Sequence, residues 1–276
     1  MRSIAKTIVR RLSPAAICGI ATALVLPASA QTPAPQIFAP QKAAFECKAP
    51  PEFVRLDQPL RHTARRLAAD EPLNIVAIGS SSTAGAGASS PAASYPSRLA
   101  AELGKRFPRD DVTVLNRGVN GEEIEQMLAR FPNDVIAPRP DLVLWQVGTN
   151  AVLRDHQVEA DAAMLRDGIK QIKDAGADAV LMDMQFAPRV LAKSETPDME
   201  DQIARAAKEG SIDLFNRFAV MREWHDVQHM PFEAFVAPDG LHMNDWGYGC
   251  VAKLLAGAIT EAATRPVASA ATHSVH

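Results

Sequence analysis

The parts needed for acyl transfer stand at opposite ends of this 276-residue chain. Leu73 to Ile78 is a short apolar run that leads into Gly79-Ser80-Ser81-Ser82-Thr83-Ala84-Gly85. Far downstream the chain carries Asp239-Gly240-Leu241-His242. A hydroxyl on a tight turn can attack a carbonyl while an imidazole takes its proton. A carboxylate then holds the imidazole in the tautomer that accepts. Neither segment does this alone. A serine-rich turn after a strand is commonly a solvated loop, and Asp-x-x-His also reads as a turn with a helix cap.

For these groups to meet, the intervening chain must fold back to one rim. Short apolar runs recur at 73–78, 112–115, 142–147 and 179–182, with a weaker one at 212–214. Helical patterns fall between them at 95–107, with Pro96 in the first turn, and at 122–129, 158–175 and 199–208. Another helical stretch, 57–69, precedes the first run, and 245–264 reads as a terminal helix. This alternation predicts an α/β fold, a three-layer α/β/α sandwich around a mainly parallel five-stranded sheet. Ligands of open parallel sheets bind outside the carboxyl ends of the strands. The polar motifs follow expected strand ends or sit in a late loop, so all are expected at one rim.

Four short blocks occur in order: Gly79-Ser80-Ser81-Ser82-Thr83, Asn116-Arg117-Gly118-Val119-Asn120-Gly121, Gly148-Thr149-Asn150 and Asp239-Gly240-Leu241-His242. On these residues the sequence resembles the SGNH, or GDSL-type, hydrolase family, across nearly the whole domain. The resemblance implies a flavodoxin-like SGNH hydrolase fold. It makes Ser81 the nucleophile and Asp239 and His242 the rest of a catalytic triad. It also makes Gly121, Asn150 and the Ser81 backbone N–H the oxyanion donors. Such donors are each worth a few kcal/mol where negative charge develops on the carbonyl oxygen. Two positions depart from the family pattern: Ser80 replaces the usual aspartate, and Ala151 follows Asn150 in place of an acidic residue.

The ends of the chain carry an address. Arg2, Lys6, Arg10 and Arg11 precede the apolar run 15–26, and Ala28-Ser29-Ala30 offers a small-residue cleavage site. Residues 1–30 therefore read as a signal peptide, and a run that short falls under the ~20 residues of a membrane span. No stable membrane insertion is expected after cleavage, and the address is periplasmic or secreted. Residues 31–50 read as an extended lead-in, 51–265 as the hydrolase domain and 266–276 as a mobile tail. Removal of the leader takes four of 29 Lys+Arg and none of 32 Asp+Glu, leaving a net charge of −7. A nucleic-acid partner is not expected of so acidic a chain. Two cysteines then remain, Cys47 and Cys250. In an oxidising compartment an even count predicts a disulfide, although Cys250 also reads as a small buried hydrophobe.

Several residues carry competing readings. His225 and His229, four apart, would suit a metal on one helical face, but the chain offers no third ligand at sensible spacing. Tyr95, Trp145, Trp224 and Trp246 could line a groove, and core or rim packing explains each of them too. Arg117 and Asn120 could touch substrate or simply face water. A flavin-binding module would also place hydroxyls after the first strand, but the export signal and the Asp-His pair speak against it. No cofactor and no metal are expected. The expected activity is hydrolysis of carboxylic esters through an acyl-enzyme, with short-chain O-acyl groups on carbohydrate or cell-envelope polysaccharide as substrate. The alternatives are a lipid esterase, lysophospholipase or thioesterase of the same family, or a non-catalytic module that binds acylated glycan.

Overall fold

All five apolar runs become strands, and they set the architecture. The computed structural model describes residues 45–156 and 158–265. The expected signal peptide, most of the lead-in and the tail 266–276 lie outside the described residues. In chain order the elements are α1 (Pro51–Val54), α2 (Arg61–Ala68), β1 (Leu73–Gly79), α3 (Ser81–Ala84), α4 (Tyr95–Arg106), β2 (Val112–Gly118), α5 (Ile124–Ala129) and β3 (Leu142–Gln146). There follow α6 (Thr149–Leu153), α7 (Val158–Asp174), β4 (Asp178–Met182), α8 (Pro188–Leu191), α9 (Thr196–Glu209), β5 (Asp213–Phe215), α10 (Arg217–Arg222) and α11 (Asp245–Thr264).

The five strands form one sheet in the order β2-β1-β3-β4-β5, and every pairing is parallel. All five residues of β3 are buried, as expected of a central strand covered on both faces. β2 lies at the edge and is only half covered. Helix α4 packs with α11, and α7 packs with α9. Leaving β1, the chain adds β2 on one side and then returns to add β3 on the other. That reversal opens a crevice between the carboxyl ends of β1 and β3, where ligands of open α/β sheets bind. β1 delivers Ser81 to this point and β3 delivers Asn150.

Two helix starts differ from the sequence expectation for local reasons. The segment 57–60 is not helical, because the Asp213 carboxylate takes the backbone N–H groups of Asp57 and Gln58. The helix expected from Glu122 begins at Ile124. Glu123 stays extended as its cap and exchanges hydrogen bonds with Gln126 in a capping box.

Cys47 and Cys250 are joined by a disulfide that closes a span of 203 residues. It fastens the start of the described chain to α11, and just past α10 the Trp224 indole also donates to the Lys48 carbonyl at 2.9 Å. For so long a loop the chain-entropy treatment gives about 5 kcal/mol of stabilisation. Cys47→Ala is therefore expected to lower the urea midpoint well below that of the native protein. A midpoint that stays put would show that the link contributes nothing to stability. Among the described residues no helix is long and apolar enough to cross a membrane.

Candidate active site

Ser81 stands at the first position of α3, directly after β1. The turn is pinned from below by Gln146, at the end of β3. Its Oε1 accepts from the Ser80 N–H at 2.9 Å, the Ser80 hydroxyl at 3.1 Å and the Thr83 hydroxyl at 3.3 Å. Ser80 and Ser82 are buried, so these hydroxyls order the loop instead of facing water. Where the family pattern has an aspartate, this chain thus uses a neutral serine–glutamine pair. The turn leaves no room for a larger residue at Gly79. A methyl group there would overlap the Thr83 hydroxyl and sit 2.8 Å from Gln146 Oε1. Gly79→Ala is expected to cost about 1–3 kcal/mol in urea unfolding, as overpacking does.

At the other end of the domain, Gly240 adopts a positive φ of 68° and closes a turn around the Asp239 carboxylate. Oδ1 of Asp239 accepts from the N–H groups of Leu241 and His242, both at 3.0 Å. Its Oδ2 accepts from His242 Nδ1 at 2.5 Å. His242 Nε2 is then the acceptor that faces Ser81 Oγ, 2.8 Å away. Two residues on, the Asn244 side chain caps α11 by accepting from the Gly247 N–H. Partial burial works to raise the Asp239 carboxyl, but the imidazole and the two backbone N–H groups outweigh it and hold it below the usual carboxylate range. Asp239 therefore stays ionised at neutral pH.

The donor side is built from blocks two and three. Asn150 lies in the first turn of α6 and donates one amide N–H to the Glu122 carbonyl at 2.8 Å, leaving its second N–H for another acceptor. Gly121 has φ 81°, a left-handed conformation that favours glycine. Its N–H is free because of this turn and not because of a helix end, since α5 begins three residues later. The backbone N–H groups of Ser81 and Gly121 take no partner among the described residues. Arg154, which motif reading missed, donates Nη2 to the Gly121 carbonyl at 2.8 Å and Nη1 to Glu123, tying the two blocks together. Arg130 holds block two from the far end of α5, donating to the Arg117 carbonyl at 2.8 Å and to Glu122.

The remaining candidates have other surroundings. Tyr95, Trp145 and Trp224 are fully buried core residues. Trp246 packs edge-on against Trp224, with ring centroids 5.0 Å apart. His225 stacks on Phe232 at 4.1 Å, and its Nδ1 donates to the Met230 carbonyl at 2.9 Å. Asn120 is exposed and Arg117 half-buried. Gln146 could have been noticed in the sequence, as the one polar residue ending an otherwise apolar strand. Nothing local marks Arg154.

The profile of the non-GDSL lipase-like family matches residues 46–265. An arylesterase of Vibrio mimicus is 29% identical over 140 residues, which span 48% of this chain and 62% of that protein. An acetylxylan esterase of Geobacillus stearothermophilus is 24% identical over 161 residues, spanning 53% of this chain and 72% of that protein. Among solved structures, a two-domain esterase active on acetylated mannans, co-crystallised with mannopentaose, superposes with a TM-score of 0.62 at 22% identity. That likeness covers 77% of this chain and 55% of the esterase, and it concerns the fold.

Proposed function

Since this chain belongs to the non-GDSL lipase-like family, we propose that it is a serine esterase that works through an acyl-enzyme. The observation that carries the reading is the hydrogen-bonded line Ser81 Oγ–His242 Nε2 and His242 Nδ1–Asp239 Oδ2. Ser81 attacks the ester carbonyl as His242 takes its proton, and Asp239 stabilises the imidazolium that forms. The N–H groups of Ser81 and Gly121 and the amide of Asn150 receive the oxyanion. The imidazolium then protonates the departing alcohol. In the second half-reaction His242 activates water, which releases the acid and restores Ser81.

For substrate, we favour short O-acyl groups, acetyl first, on carbohydrate or cell-envelope polysaccharide. The acetylxylan and acetylated-mannan activities of the relatives support this. An extracytoplasmic setting is supported by the export-like leader and by the disulfide. The test is an ester panel on the mature protein, from aryl acetate to long-chain aryl esters, with acetylated xylan and mannan alongside. Turnover that falls sharply beyond acetyl supports deacetylation. Turnover that rises with chain length would move the reading to a lipid esterase. A protein that binds acylated glycan without turnover would not be labelled at Ser81 by a fluorophosphonate.

Asn150→Ala is expected to lower kcat by about 10²- to 10³-fold, the range seen when one oxyanion donor is removed. Steady-state kinetics on an aryl acetate measures it. Unchanged kcat would remove Asn150 from the oxyanion site.

A further inference from the structure

Beneath the Ser81 turn lies an arginine with no exposed surface. Arg217 begins α10, directly after β5, and its side chain is 0% exposed. Nη1 donates to the Ser82 hydroxyl at 3.1 Å. Nη2 donates to the Asp183 carbonyl and, at 3.1 Å, to Gln185 Oε1. That same Gln185 oxygen accepts from the Thr149 hydroxyl at 3.0 Å. Ser82, Thr149, Asp183 and Gln185 are all buried. A chain of hydrogen bonds thus runs Ser82–Arg217–Gln185–Thr149 with no exposed member. Ser82 is the neighbour of Ser81, and Thr149 is the neighbour of Asn150.

Burying a guanidinium is unfavourable, and an apolar side chain of similar volume commonly stabilises a core at least as well. Stability therefore does not explain a charge here. Burial works against the charged form of Arg217, while the nearby Asp183 carboxylate favours it. What an arginine supplies and an apolar residue does not is a rigid planar fork that reaches two acceptors at a fixed separation. The separation that matters is between the Ser81 N–H and the Asn150 amide. Both must meet one oxygen, and such constellations tolerate only about 0.5 Å of error.

We infer that Arg217 is a positioning residue: its guanidinium locks the Ser81 turn to the Asn150 turn and so sets the spacing of the oxyanion donors. The lock itself stands on the hydrogen bonds, and only its effect on turnover rests on the esterase reading above.

Thr149→Val and Ser82→Ala each cut one end of the chain and leave Arg217 itself in place. Two measurements follow on each variant. The first is amide hydrogen exchange in the segments 80–86 and 148–153. The second is kcat and KM for an aryl acetate, per active site titrated with a fluorophosphonate. Thr149→Val is expected to speed exchange in the distant Ser81 turn as well as in its own, and Ser82→Ala to do the reverse. Each is expected to lower kcat per titrated site about tenfold or more with KM within about twofold, as misplaced donors do. Thr149→Ser, which keeps the hydroxyl, restores both properties. The double variant loses no more than the worse single one. Arg217→Lys, which keeps the charge and loses the fork, follows the same pattern.

Exchange that quickens only in the mutated turn, or kcat losses that multiply in the double variant, would overturn the lock. A native protein that neither turns over an ester nor takes the probe would overturn the esterase reading instead, and the exchange comparison would still decide the lock.

Discussion

Ser81→Ala is expected to lower kcat for an aryl acetate by about 10⁵-fold or more, with the urea midpoint near that of the native protein. The size of the effect follows from the geometry. The hydroxyl is the group aligned on His242 Nε2 at 2.8 Å, and without it no acyl-enzyme can form. What remains is the contribution of the donors around the oxyanion. His242→Ala should cost nearly as much, and the double variant little more than either alone, because nucleophile and base act as one unit. Substantial turnover by Ser81→Ala would mean that another hydroxyl carries the reaction. Ser80 and Ser82 are poor replacements, since Ser80 donates to Gln146 and Ser82 accepts from Arg217.

The second large effect is expected of Asp239→Asn. Oδ1 of Asp239 already accepts two backbone N–H bonds, and Oδ2 accepts from the imidazole. An asparagine that keeps its oxygen on the two N–H groups must point its NH₂ at His242 Nδ1. The imidazole then carries its proton on Nε2 and can no longer accept one from Ser81. Flipping the amide offers no escape, because the NH₂ would then face two backbone donors. Turnover is expected to fall by about 10³- to 10⁴-fold, as it does when a triad carboxylate in a serine protease becomes an amide. Steady-state kinetics measures the loss, and the near-ultraviolet circular dichroism should be unchanged. A fall of only a few-fold would show that His242 holds its tautomer without Asp239.

The depressed ionisation of Asp239 bears on pH dependence. Its folded-state carboxyl lies below the ordinary range, so its favourable interaction with His242 is complete above the unfolded-state pKa and is lost only as pH falls through the folded one. An acid limb in kcat/KM above the ordinary carboxylate range therefore does not report Asp239. Asp239→Asn should lower the rate across the profile without introducing a new limb at low pH. Rate measurements from pH 4 to 9 give this comparison.

Much of the candidate site was readable because its parts are local. The Ser81 turn needs only a strand that ends in glycine followed by small hydroxyl residues. The Asp239–His242 pair closes within one four-residue turn, so spacing alone puts carboxylate and imidazole together. The strand–helix alternation likewise marks a parallel sheet, because strands buried on both faces must be nearly all apolar. Where local reading went astray, the partner lay elsewhere in the chain or in an unread cap. Residues 57–60 lose their helix to Asp213, 156 positions away from Asp57. Glu122 and Glu123 lose theirs to a capping box that the Glu123 side chain completes.

By itself, then, the order of residues determined the five strands, the long helices, the two reactive turns and the rim at which they emerge. Each of these follows from backbone geometry and apolar periodicity within a few residues. Only the tertiary structure decided that Gln146 carries the Ser81 turn, that Arg154 binds blocks two and three together, that Arg130 holds the end of block two, and that Arg217 lies buried between Ser82 and Gln185. Those pairings depend on the strand order β2-β1-β3-β4-β5, which brings together residues up to 135 positions apart. A polar side chain buried at a strand end looks like any other until its partner's strand is known. The physical reason is that hydrogen bonds across a sheet are selected by distance in space, which the linear chain does not record.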